Sequence, residues 1–223
     1  MSANRFLLVF AFLLFGQGLQ LSAQRQLNYT DFGAYIGTIN YSDEVASGEI
    51  SGYIKEIRPQ VGVHLRRTVA SWFTLGTEVG YGYIHAKDVN HTHPSRGYEV
   101  NTHMVQINGF MELNFSKFGK YRRSQRSTFY IKSGGGVNFY NPRLKEKLRY
   151  DSTWELRPNA YTGFNVFGGA GFKIRLSYQS YLNIEALGHF ATFDDIEGLQ
   201  YVDNRTANDF YGGLRIGYSY MFF

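Results

Sequence analysis

Apolar and polar residues alternate in two-residue steps along most of the chain. From Val105 to Phe115, Val105, Ile107, Gly109, Met111, Leu113 and Phe115 fall on one side, and Gln106, Asn108, Phe110, Glu112 and Asn114 on the other. A period of two belongs to a β-strand, whose successive side chains point to opposite faces. The pattern recurs over 72–85, where Phe73, Leu75, Val79, Tyr81 and Tyr83 oppose Glu78 and glycines, and again over 129–140, 166–176, 182–190 and 210–222. Shorter segments at 32–37 and 60–66 repeat it. Eight strands are predicted, most of them about long enough to cross a bilayer at a tilt.

The connections alternate as well. Residues 67–71 and 177–180 predict tight turns and 116–127 an intermediate one, whereas 39–56, 86–100, 141–163 and 194–209 are long and polar. A water-soluble sandwich would show the same alternation, so the pattern alone leaves its solvent open. The N-terminal segment decides between them. Residues 1–5 carry a positive charge, 6–15 are an apolar run, and Leu21-Ser22-Ala23 precedes Gln24. That is the pattern of a cleaved export signal, too short for a membrane-spanning helix. The expected organisation is a signal peptide at 1–23 and an outer-membrane β-barrel at 24–223. Aromatics crowd the strand ends (Trp72, Phe73, Tyr81, Tyr83, Phe115, Tyr218, Tyr220, Phe222), as interfacial girdles do. The fold class read here is all-β: an eight-stranded antiparallel up-and-down transmembrane β-barrel in the outer membrane. Both termini and the short turns are expected in the periplasm, with the long loops outside.

Composition sharpens this. The chain has 18 Tyr, 19 Phe and 25 Gly but only 4 Pro, which suits long twisting strands. It has no Cys, so neither a disulfide framework nor a thiolate metal site is available, nor is a lipid-acylated cysteine. Loss of Arg5 with the signal lowers the formal net charge from +5 to +4. That modest balance comes without a recognisable nucleic-acid-binding motif, so no nucleic-acid partner is expected.

The polar faces carry the candidate chemistry. Glu78, Glu112, Glu185, Lys132, Lys173, Arg175 and Arg215 all point inward by parity. Charges in so narrow a space must be paired, either as a cross-linked plug or along an ion or proton path. Eight strands enclose only enough room for side chains, which favours the plug. Around the first strands' loop, His85, Asp88, His91, His93, Ser95 and His103 cluster, but without dependable metal-ligand spacing. There is no Gly-x-Ser-x-Gly elbow and no P-loop. No catalytic residue, metal, cofactor or small-molecule substrate is therefore expected, and the protein is read as a non-enzyme. The turn at 116–127 holds Lys117, Lys120, Arg122, Arg123 and Arg126 with no acid. It is either a solvated hairpin turn or a docking patch for an acidic partner.

Several short motifs carry a family resemblance. Gly33-Ala-Tyr-Ile-Gly37 leads to Tyr41-Ser42-Asp43; Glu112-Leu-Asn-Phe115 closes a strand; Gly134-Gly-Gly136 precedes Tyr140-Asn141-Pro142; and Gly169-Ala-Gly-Phe-Lys173 is followed by Glu185 on the next strand. In this order they resemble the PorG-like outer-membrane barrels of the type IX secretion system of the Bacteroidota. The sequence departs from that family at Ser42, where Gly is usual, and at Asp194-Asp195-Ile-Glu197-Gly, a reduced form of its last loop. The resemblance implies a non-enzymatic secretion component that holds a periplasmic ring lipoprotein and its associated secretion proteins against the outer-membrane lipid. The basic turn is the expected contact. A generic small barrel, structural or adhesive, is the alternative.

Overall fold

The structure, a computed structural model, describes residues 28–42, 57–87, 99–121, 124–145, 154–156, 160–191, 199–201 and 210–222. The expected signal segment lies outside them. Ten strands form: β1 (Thr30–Ser42), β2 (Arg58–Ala70), β3 (Phe73–Lys87), β4 (Glu99–Asn114), β5 (Ser127–Lys145), β6 (Trp154–Leu156), β7 (Tyr161–Arg175), β8 (Ser180–Ala191), β9 (Leu199–Tyr201) and β10 (Phe210–Met221). Eight of them close into a barrel in the order β1-β10-β8-β7-β5-β4-β3-β2, every pair antiparallel. This is the predicted meander, with β10 pairing back onto β1.

Two features differ from the sequence expectation. Several strands run on into segments read as loops; β4 and β5, for example, stay paired from Asn114↔Tyr130 as far as Glu99↔Lys145. The segments 141–163 and 194–209 also contribute β6 and β9, which pair with each other in a separate two-stranded sheet. Strands of three residues are too short to register as an alternation.

The wall is inside-out relative to a protein folded in water. Ile36, Ile107, Leu214 and Phe164 are 64%, 49%, 62% and 63% exposed on the outer face, while the polar phase is buried in the lumen. Only hydrocarbon suits such an exterior. Closure leaves no strand edge with unpaired backbone groups, the condition for a sheet to span lipid. The chain is thus an outer-membrane-type barrel whose strands do the crossing.

Glycines make room for the ring-bearing interior. Phe110 faces Gly76 on one neighbouring strand and Gly134 on the other. A Cβ at Gly76 would run into the Phe110 ring, and one at Gly134 into backbone and the Phe167 ring. The inward face therefore alternates large rings with bare backbone, and the rings fill the bore.

Candidate functional site

Each of the eight barrel strands places one fully buried charge in the lumen. They are Asp31 on β1, Arg66 on β2, Glu78 on β3, Glu112 on β4, Lys132 on β5, Lys173 on β7, Glu185 on β8 and Arg215 on β10. None is more than 3% exposed, and four carboxylates balance four cations.

These groups form one alternating chain. Lys173 Nζ lies 2.5 Å from Glu112 Oε2, and Glu112 Oε1 lies 2.8 Å from Arg66 Nε. Arg66 Nη2 reaches Glu185 Oε1 at 2.7 Å, and Glu185 Oε2 meets Lys132 Nζ at 3.3 Å. Lys132 continues to Glu78 Oε2 at 2.8 Å, and Glu78 Oε1 ends the chain on Arg215 Nη1 at 3.1 Å. Asp31 branches off Arg66 at 3.9 Å and accepts a hydrogen bond from the Tyr181 hydroxyl at 2.9 Å.

Apart from Asp31–Arg66, every one of these bridges joins strands that are not neighbours in the sheet. Glu112 stands directly opposite Lys132, and Glu185 opposite Arg215, yet each reaches elsewhere across the bore. The network therefore cross-links the cylinder through its middle rather than stitching adjacent strands.

Neutral groups satisfy the remaining valences. Arg66 donates to His64 Nε2 at 2.7 Å, Tyr130 Oη to Glu185 at 2.7 Å, Asn108 Nδ2 to Glu78 at 3.2 Å, and Arg215 Nε to Gln60 Oε1 at 3.1 Å. Rings cover the cations: Lys132 Nζ sits 4.0 Å from the Phe110 centroid, Lys173 Nζ 4.4 Å from Tyr130, and the Arg215 guanidinium 4.6 Å from Tyr35. Such contacts strengthen when desolvated.

Toward the long-loop end the lumen changes character. Gln60, Gln106, Asn138 and Asn165 link with Tyr211 and Tyr140 through neutral hydrogen bonds of 2.7–2.8 Å. Beyond them Ile39, Ile84, Met104, Tyr140, Ala191 and Tyr211 form an apolar plug. A second plug of Tyr29, Phe118, Tyr181 and Met221 closes the short-turn end. Its Phe118 belongs to the turn between β4 and β5, which folds back over the barrel mouth. The charges thus lie between two apolar stoppers.

Six of the seven inward residues expected from parity enter this network. Arg175 does not. It stands half-buried at the rim, donating to the carbonyls of Gly119 at 2.5 Å and Gln125 at 3.3 Å, with its guanidinium 5.0 Å from the Phe118 ring. It tethers the turn rather than joining the central lattice, because β7 ends there. Sequence reasoning missed Arg66, the hub with three carboxylate neighbours, and Asp31. The parity of β2 already puts Arg66 on the side of His64, so the signal was present.

In the basic turn, Lys117 and Arg126 are exposed, and Lys120 Nζ donates to the Phe222 carbonyl at 3.0 Å. Arg122 and Arg123 lie outside the described residues, as do Asp88, His91, His93 and Ser95. His103 lies on the outer face of β4, its Nδ1 2.6 Å from the Tyr81 hydroxyl and its ring 5.1 Å from Tyr83. Among the described residues no three His, Asp or Glu side chains are grouped to hold a metal ion.

Comparison with known proteins adds the following. No curated protein matches the chain. Similar solved structures include Ail, the attachment invasion locus protein of Yersinia pestis, in complex with the heparin analogue sucrose octasulfate (8% identity, 87% of this chain and 99% of that chain, TM-score 0.49). Neisserial surface protein A is another (11%, 88% and 97%, 0.48), as is the outer membrane protein OprG from Pseudomonas aeruginosa (13%, 87% and 95%, 0.45). These likenesses concern the path of the chain and nothing finer. The chain belongs to the family described as Domain of unknown function (DUF6089), whose model matches residues 5–223.

Proposed function

Proceeding from that membership, we propose that the protein is a non-enzymatic, non-conducting outer-membrane barrel that anchors a component of the type IX secretion machinery at the periplasmic face. The observation that carries the scaffolding part is the lumen: among the described residues, a charge-balanced lattice fills the bore between two apolar plugs. A barrel with a filled bore works through its rims. The type IX assignment rests on the sequence motifs quoted above, which span nearly the whole expected mature chain.

The short turns, assigned to the periplasm by the length asymmetry of the connections, carry the contact. Lys117 and Arg126 are exposed at the base of the β4–β5 turn, and Arg122 and Arg123 lie between them in sequence. Arginine's forked donors suit the carboxylates of an acidic partner surface. Deletion of the gene is expected to reduce export of type IX cargo, and affinity purification in mild detergent to recover ring proteins. Replacing Arg122, Arg123 and Arg126 by Glu should reproduce the deletion while leaving the barrel folded. Normal export together with an empty purification would overturn the reading in favour of a generic structural or adhesive barrel.

A further inference from the structure

Three connections join barrel strands at the short-turn end, and one of them is built differently. β2 and β3 are joined by 71–72 and β7 and β8 by 176–179, whereas β4 and β5 are joined by 115–126. Reversing an antiparallel pair needs far fewer residues than that, and this connection has a structure of its own. Phe118 is buried in the barrel mouth against Tyr29, Tyr181 and Met221, its ring edge-on to Tyr181 at 5.5 Å. Gly119 has a φ of +153°, and a Cβ there would come within 2.6 Å of the Tyr29 ring, so the bend suits only glycine. Ser116 is fixed at the strand end: its N–H donates to Thr128 Oγ1 at 3.1 Å, and its carbonyl accepts from the Phe118 N–H at 2.7 Å.

Arg175, the last residue of β7, grips both limbs of this turn. On the outgoing limb its Nη2 donates to the Gly119 carbonyl at 2.5 Å. On the returning limb its Nε donates to the Gln125 carbonyl at 3.3 Å and its backbone N–H to the Arg126 carbonyl at 2.8 Å. The guanidinium also lies 5.0 Å from the Phe118 ring. Lys120 adds a tie to the chain just past β10, through the Phe222 carbonyl at 3.0 Å. These two cations are committed to backbone carbonyls. Lys117 and Arg126 are exposed instead, on backbone that is held: Lys117 between the bonded Ser116 and the buried Phe118, Arg126 by the bond to its own carbonyl.

We propose, on the reading that this turn docks an acidic partner, that Arg175 is the positioning residue of the docking surface. It holds the two limbs so that Lys117 and Arg126 meet the partner's carboxylates as a preformed pair, and it does not itself touch the partner. A loose basic loop loses conformational freedom on docking, whereas a folded one has lost it already. Arginine suits the role because its planar fork reaches carbonyls on two limbs at once, where a lysine amine is a single point on a flexible stem. The uncharged parts, Phe118 in the mouth and Gly119 at the bend, serve the same end.

Two variants of the tagged full chain, expressed in its own host and purified in mild detergent, test this. Arg175→Gln removes the grip; Gly119→Ala disturbs the bend and changes no charge. Heat-dependent gel mobility reports the barrel, hydrogen exchange of the Phe118 amide reports the turn, and co-purified periplasmic ring proteins report docking. Both variants should keep the mobility shift of a folded barrel and recover several-fold less ring protein than the wild type. Their Phe118 amide should exchange about tenfold faster, the scale set by losing a charge-assisted hydrogen bond. Wild-type recovery by either folded variant overturns the proposal, as does unchanged exchange in Arg175→Gln. So does reduced recovery by Arg175→Gln alone with Gly119→Ala loosened but still docking, because Arg175 then meets the partner by its charge. A wild type that recovers no ring proteins, while both variants still loosen the Phe118 amide, overturns the partner reading itself and leaves Arg175 a clamp with no docking role.

Discussion

The two faces of a single strand obey different rules. On the outer face of β4, Val105, Ile107, Met111 and Leu113 need only be apolar and of moderate bulk, because their neighbour is fluid hydrocarbon. On the inner face of the same strand, Gln106, Asn108 and Glu112 each have named partners on other strands: Tyr211 for Gln106, Glu78 for Asn108, Arg66 and Lys173 for Glu112. The exterior is specified by class, the interior by identity. Position along the barrel is therefore encoded on the wet-looking side. A shift by two residues keeps every apolar side chain outside, but it would break the alternating chain of charges.

The contrast is sharpest at the hub. Arg66→Met leaves Glu112, Glu185 and Asp31 short of a cation in a closed space, and breaking a buried pair in this way costs about 3–5 kcal/mol. Urea unfolding of the protein in phospholipid vesicles should show that loss or a failure to fold. A stability within a few tenths of wild type would mean the lattice is not what ties the strands together. The mirror experiment puts a charge outside: Ile107→Arg, in the middle of the wall, should cost about 2–4 kcal/mol, whereas Ile107→Leu should fall within about 0.5 kcal/mol of wild type. If the arginine variant were as stable as the leucine one, lipid would not be the neighbour of that face.

Smaller effects separate the two layers of the lumen. Asn138→Ala removes one member of the neutral amide layer, which contacts Tyr140, Tyr211 and Asn165 but holds no charge. The expected cost is about 1–3 kcal/mol, that of leaving buried polar groups unpaired. It should stay below the cost of Arg66→Met by the same measurement; the reverse order would move the centre of gravity of the fold from the ionic lattice to the amides.

How much of this was legible in the sequence follows from the same contrast. Period-two alternation placed all eight barrel strands but left the phase of the last one open, and the structure exposes Phe222 together with Tyr218 and Tyr220. Parity also named six of the eight lattice charges. Asp31 escaped because the strand was read from Phe32, two residues after its start at Thr30. Arg66 stood on the polar side by parity, but it was the last residue of the segment read as strand, with a turn expected from Arg67. In the structure β2 runs on to Ala70 and carries Arg66 inside the bore. Arg175 had the right parity at the wrong height: parity reports face, not depth. The pairing of specific charges across the bore was out of reach, since it depends on stagger and side-chain length rather than on local pattern. The β6–β9 sheet lacked enough residues to show any period.

The central claim, that hydrocarbon surrounds the odd-numbered face of β4, has a direct test. The chain contains no Cys, so a single introduced thiol is unambiguous, and Gly109 has open space around the position a Cβ would take. A nitroxide label on Gly109→Cys in reconstituted vesicles, measured by electron paramagnetic resonance, should relax readily with dissolved oxygen and hardly at all with a water-soluble nickel complex. Ready access of the nickel complex to that label would contradict the account.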